Sequence, residues 1–129
     1  VHPKVTVLVV DDDVANLRTF QRVFRRTFRV LMAVSSEEAV ELLRTESPDV
    51  AFVDYSMPVT NGLALLRVLR EQCPTMVSYL LTGYADLPEI NQMKNSGLFR
   101  AVLSKPWDRE CIERAATGAL TSEAPCRLI

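Results

Sequence analysis

The chain has 129 residues and a formal net charge of −1, with 48% apolar and 24% charged residues. Such values describe one globular domain with enough chain to bury a core, and they give no support for a nucleic-acid-binding surface spread over it. No apolar run approaches the roughly 18 residues of a membrane helix, and no signal-peptide pattern opens the chain, so neither a membrane nor direct nucleic-acid contact is expected.

Apolar and amphipathic segments alternate along the chain. Val5–Val10 is a short β-branched run suited to a strand covered on both faces. From Val14 to Arg26 the spacing turns helical, with Val14, Leu17, Phe20, Val23 and Phe24 on one side and Asp13 placed to cap. Arg29–Val34 reads as a second strand. Ser35 and Glu38 form a capping box opening a helix through Leu43, which Ser47-Pro48 ends. Val50–Val53 is a third strand closed by Asp54, followed by a loop over Tyr55–Asn61. Gly62 then opens a helix marked by Leu63, Leu65, Leu66 and Leu69, which ends near Cys73-Pro74. Val77–Thr82 is a fourth strand. Asp86-Leu87-Pro88 caps a short helix that Gly97 terminates. Phe99–Leu103 is a fifth strand, and Asp108 caps a last helix to about Leu120. The domain is placed at residues 1–120, with 121–129 a linker or tail. The cysteines, Cys73, Cys111 and Cys126, form no C-x-x-C pair and are read as reduced thiols in a cytoplasmic protein.

Five strands alternating with five helices predict an α/β fold. The expected form is a flavodoxin-like, doubly wound parallel sheet of order 2-1-3-4-5 with helices on both faces. In that class, ligands sit beyond the carboxyl ends of the strands, beside strands one and three. The polar residues fall at that edge: Asp11 and Asp12 after strand one, Asp54 after strand three, Thr82 after strand four and Lys105 after strand five. Three convergent carboxylates repel by about 4 kcal/mol per pair at 4 Å in an effective dielectric near 20. Protonation or a bound cation must relieve this, and all-oxygen ligation with room for water suits Mg2+. An ionised Asp54 can attack phosphorus, with Lys105 as a compact counter-charge and the Thr82 hydroxyl as a hydrogen-bond donor.

With V-D-D at 10–12, D-x-x-M-P-x-x-x-G from Asp54 to Gly62, T-G at 82–83 and K-P at 105–106, the chain resembles a response-regulator receiver domain (CheY-like) from about Val5 to Leu120. The resemblance implies phosphorylation of Asp54 by a sensor histidine kinase. It also implies Mg2+ held by Asp12, Asp54, the Ser56 carbonyl and Asp11, and switch and phosphate-binding roles for Thr82 and Lys105. The Lys105-Pro106 bond is expected to be cis, and Ser56 and Tyr84 occupy positions that gate water. The position three before the lysine is Val102 where many receivers carry Tyr or Phe; Tyr84 and Phe99 are the aromatics that could stand in. The phrases LTGYADL and LFRAVLSKPWD resemble bacterial receivers joined to HD-GYP phosphodiesterases or hydrogenase-type transcription regulators.

Signal output is expected through the fourth helix, fifth strand and fifth helix, a face that could also form a homodimer, with Ile90, Met93 and Trp107 as candidate apolar contacts; core packing is an equal reading for Ile90 and Trp107. Arg18, Arg22 and Arg25 form a stripe on the first helix, either a solvated face or a contact for an acidic partner. Two other functions are weighed. A phosphorylation-independent receiver-like interaction module would use the same fold. A haloacid-dehalogenase-type phosphatase would share the aspartate nucleophile and Mg2+, but its D-x-D-x-[T/V] pattern meets Ala15 in the last position. The expected role is that of a phosphoryl acceptor rather than an enzyme.

Overall fold

A computed structural model describes residues 4–56, 62–83, 88–93 and 96–117. Its strands are β1 (Thr6–Val10), β2 (Arg29–Ala33), β3 (Val50–Asp54), β4 (Val77–Thr82) and β5 (Ala101–Ser104). Its helices are α1 (Val14–Phe24), α2 (Ser36–Leu42), α3 (Gly62–Gln72), α4 (Pro88–Met93) and α5 (Arg109–Thr117). The strands form one parallel sheet of order β2-β1-β3-β4-β5, the order expected from among the few that right-handed crossovers allow.

Side-chain alternation along each strand divides the core in two. Val7, Val9, Val50, Phe52, Tyr79, Leu81, Ala101 and Leu103 share one cluster with Leu17, Phe20 and Phe24 of α1 and Ile112 of α5. Leu8, Val10, Ala51, Val53, Leu80 and Val102 share the other with Ala39 of α2, Leu65, Leu66 and Leu69 of α3 and Ile90 of α4. Every strand residue from Val50 to Asp54 is buried, as a central strand covered on both faces demands. Each fully buried Leu or Phe contributes about 1.5–3 kcal/mol, so these two layers hold the sheet edge rigid where the polar residues emerge.

The caps follow their chemistry. Asp13 accepts from the Ala15 N–H at 2.9 Å, and Ser35 Oγ accepts from the Glu38 N–H at 3.1 Å. Glu38 reaches back one residue beyond the expected partner, to the Val34 N–H at 3.0 Å. Asp108 caps α5 through the Glu110 N–H at 2.9 Å. Gly97 has φ +84°, the left-handed region that glycine enters without strain.

Two readings, Val14 and Cys111, are corrected, and two open ones, Ile90 and Trp107, are decided for core packing. Val14 is 47% exposed, so it does not join Leu17, Phe20 and Phe24 on the buried side of α1. Ile90 is fully buried between α4 and the sheet. Trp107 packs edge-on to Phe20 at 5.5 Å and against Phe24 at 5.4 Å, so it turns toward α1 and away from the expected output face. Cys73 is a free thiol, but Cys111 is disulfide-bonded, not reduced. Tyr84, the Asp86 cap, Cys126 and the tail over 121–129 lie outside the described residues.

Candidate functional site

The strand parity that sorts the core also aims the site. Asp11 continues the row of Val7 and Val9, Asp54 that of Val50 and Phe52, and Lys105 that of Ala101 and Leu103. Three separate strands thereby deliver a carboxylate, a carboxylate and an ammonium to one side of the sheet edge. Lys105 Nζ donates to Asp54 Oδ1 at 3.0 Å and lies 3.7 Å from Asp11 Oδ2. The Lys105-Pro106 bond is cis, as expected.

Asp11 and Asp54 are buried, while Asp12 is exposed. Asp11 is held by its neighbours: Oδ1 accepts from the Asp13 N–H at 2.9 Å and Oδ2 from Asn16 Nδ2 at 3.2 Å. Burial pushes the Asp54 carboxyl above the ordinary carboxylate range. Lys105 and the Ser56 backbone N–H oppose that shift, and Asp11 adds to it. Burial also works against the Lys105 charge, but Asp54 and Asp11 outweigh it and hold its pKa above the usual lysine value.

Asp11, Asp12 and Asp54 can each place one oxygen within 4.8 Å of the others. At that distance two carboxylates repel by about 3.5 kcal/mol in an effective dielectric near 20. Lys105 supplies one positive charge against three negative ones. A hard divalent cation fits this deficit: the donors are all oxygen, two are fixed by burial, and exposed Asp12 leaves room for the waters that Mg2+ retains. Thr82 ends β4, buried, and pairs in register with Ser104; its carbonyl accepts from the Lys105 N–H at 3.1 Å, tying the ends of β4 and β5 together. Exposed Ser56 stands two residues beyond Asp54.

A family model for the response regulator receiver domain matches residues 7–117. The chain belongs to the response-regulator receiver family. The receiver is 36% identical over 103 residues to the hydrogenase transcriptional regulatory protein HoxA of Cupriavidus necator, covering 79% of this chain and 21% of that one. It is 31% identical over 116 residues to a cyclic di-GMP phosphodiesterase of Thermotoga maritima, covering 89% of this chain and 31% of the relative. Among solved structures it resembles the signal receiver domain of an HD domain-containing protein from Pseudomonas fluorescens, with TM-score 0.82 and 29% identity over 93% of this chain and 89% of that one. The expected subset is therefore met by relatives of both kinds, and the receiver spans only a fifth to a third of these two curated proteins. Family membership does not favour the phosphatase reading.

Two site features escape sequence reasoning. Asn16 bonds Asp11, and the only hint is its place three residues after the capping Asp13, where a side chain can turn back past the helix start. Lys105 also approaches Asp11 as well as Asp54, which depends on the tertiary placement of β5. Val102 is buried among apolar neighbours, and Phe99 sits at the amino end of β5, the far end from Thr82, so Phe99 is no substitute switch aromatic. Arg18, Arg22 and Arg25 are exposed and form no ion pair among the described residues. Among those residues, no helix is long and apolar enough to cross a membrane.

Proposed function

We propose that this receiver accepts a phosphoryl group on Asp54 from a sensor histidine kinase and relays the change to an output domain or partner protein. The observation that carries the reading is the convergence on one buried carboxylate of an ammonium at 3.0 Å and two further carboxylates within 4.8 Å.

In the transfer, an Asp54 Oδ forms a bond to phosphorus as the P–N bond of the donor phosphohistidine breaks. The electron pair of that bond stays on the imidazole nitrogen. Asp11, Asp12, Asp54 and the carbonyl of Ser56 would hold Mg2+, which would supply neutralisation of charge on the phosphoryl oxygens. Burial keeps water from Asp54, and the raised pKa of Lys105 keeps it charged throughout the physiological range. Lys105 then exchanges its carboxylate partner for a phosphoryl oxygen, and the Thr82 hydroxyl takes another. Because the Thr82 carbonyl holds the Lys105 N–H, movement at either residue reaches the ends of both β4 and β5.

In this reading the chain is a phosphoryl acceptor, not a turnover enzyme, and it works in the cytoplasm. The face of α4, β5 and α5 is the output surface and the place for a homodimer. Met93, half-buried at the end of α4, is the remaining apolar candidate there.

Incubation with Mg2+ and a small acyl phosphate, followed by intact mass measurement, tests the proposal. One added phosphoryl group is expected on the parent and none on Asp54→Asn. Equal labelling of both proteins, or none of the parent, overturns it.

A further inference from the structure

We infer that Asn16 is a positioning residue for the cation site: it fixes the Asp11 carboxylate so that the three acids meet a divalent ion without rearrangement. The inference rests on the proposed Mg2+-dependent phosphoryl transfer.

Asn16 is the third residue of α1, counted from the Asp13 cap. A side chain there ordinarily returns to the backbone of the cap. Here the carboxamide reaches past the cap to Asp11 Oδ2 at 3.2 Å, while the Asp13 N–H holds Oδ1 at 2.9 Å. Asp11 is thus gripped at both oxygens by donors from the helix that follows it. The first turn of α1 carries no acidic side chain, so the helix adds no carboxylate to the two, Asp12 and Asp54, that already repel Asp11.

Without the Asn16 bond, the remaining side-chain donor close to Asp11 among the described residues is Lys105 at 3.7 Å, whose shorter contact is with Asp54. Lys105 is the group that must turn to the incoming phosphoryl oxygens. A carboxylate fixed by Lys105 would lose its hold at the moment of transfer, whereas the Asn16 amide is neutral and takes no part in it. Asn16, Asp11 and Lys105 also line one cavity of about 510 Å³ with Phe20 and Trp107. Partners of this kind orient metal ligands, and their loss typically lowers metal affinity about tenfold or more.

The test is calorimetric titration of the apo protein with Mg2+ alone, for the parent, Asn16→Ala and Val23→Ala. Asn16 is exposed on the helix's first turn, so its truncation leaves the core intact. Val23, half-buried on the same helix, packs on the α1 face of the core and reports any general loosening of α1. Asn16→Ala is expected to weaken Mg2+ binding about tenfold, with Val23→Ala close to the parent. Phosphorylation of Asn16→Ala from acyl phosphate is expected to be slow at low Mg2+ and to reach the parent rate at saturating Mg2+. An affinity of Asn16→Ala within twofold of the parent, or equal weakening by Val23→Ala, overturns the inference. If the parent itself binds no Mg2+, the proposed function fails instead.

Discussion

Gly62 opens α3 directly beneath the end of β3, and its N–H donates to the Tyr55 carbonyl at 2.9 Å. A Cβ built there would lie 2.6 Å from the Asp54 carbonyl oxygen, 2.9 Å from Tyr55 Cα and 3.0 Å from Leu80 Cδ1. The first two are backbone atoms and cannot rotate aside. Ordinary contact begins near 3.4 Å, so the end of β3 or the start of α3 must give by several tenths of an ångström. Overpacking of this kind costs about 1–3 kcal/mol, and the stiffer unfolded chain returns about 0.4–1 kcal/mol. Gly62→Ala is therefore expected to lose about 1–2 kcal/mol. Gly83→Ala is the matched control: a Cβ there meets nothing within 4 Å, so only the favourable unfolded-state effect remains. The gap of roughly 2 kcal/mol corresponds to about 8 °C in melting temperature for a domain of this size. Thermal and urea denaturation followed by circular dichroism measure it. Because the clash falls on Asp54 itself, Gly62→Ala is also expected to slow phosphorylation from acyl phosphate. Gly62→Ala as stable as Gly83→Ala would refute the close-approach argument.

Tyr79 is fully buried, its hydroxyl has no hydrogen-bond partner among the described residues, and burial pushes its pKa up to about 12. Tyr79→Phe is therefore expected to stabilise the domain by about 1 kcal/mol in urea melts, a desolvated hydroxyl being removed while the stacking on Phe52 stays. The Asp54 carboxyl binds its proton more tightly in the folded than in the unfolded chain, so its contribution to stability falls as pH rises from the ordinary carboxylate value through the raised one. Without Mg2+, Asp54→Asn should thus be more stable than the parent at neutral pH, with the gap closing as pH drops below that window; paired melts across pH read it, and a less stable variant at pH 7 would contradict the sign. Ser35→Ala removes the cap of α2 and is expected to cost about 1 kcal/mol by chemical denaturation.

The alternation of strands and helices made a parallel doubly wound sheet legible, and right-handed crossovers left few orders to choose from. The site was legible for a related reason. Asp11, Asp54 and Lys105 each extend a row of buried residues facing α1 and α5, so strand parity alone sends them to the same place. What escaped depends on how elements meet. Val14 shares the helical spacing of Leu17 and Phe20 yet stays exposed, and the inward turn of Trp107 follows from the aromatic cluster that Phe20 and Phe24 offer it. Ile90 could be an exposed contact or a core residue from sequence alone, and its place in the layer with α3 decides for the core. The Asn16 bond to Asp11 depends on the angle between β1 and α1, which no spacing rule supplies.

The most direct test of the whole account is peptide-level mass mapping of the chain after reaction with acyl phosphate, run in parallel with Mg2+ and with a chelator. The account predicts one phosphoryl group, on the peptide that holds Asp54, formed with Mg2+ and absent with the chelator. A phosphoryl group on another residue, or labelling indifferent to the chelator, would contradict it.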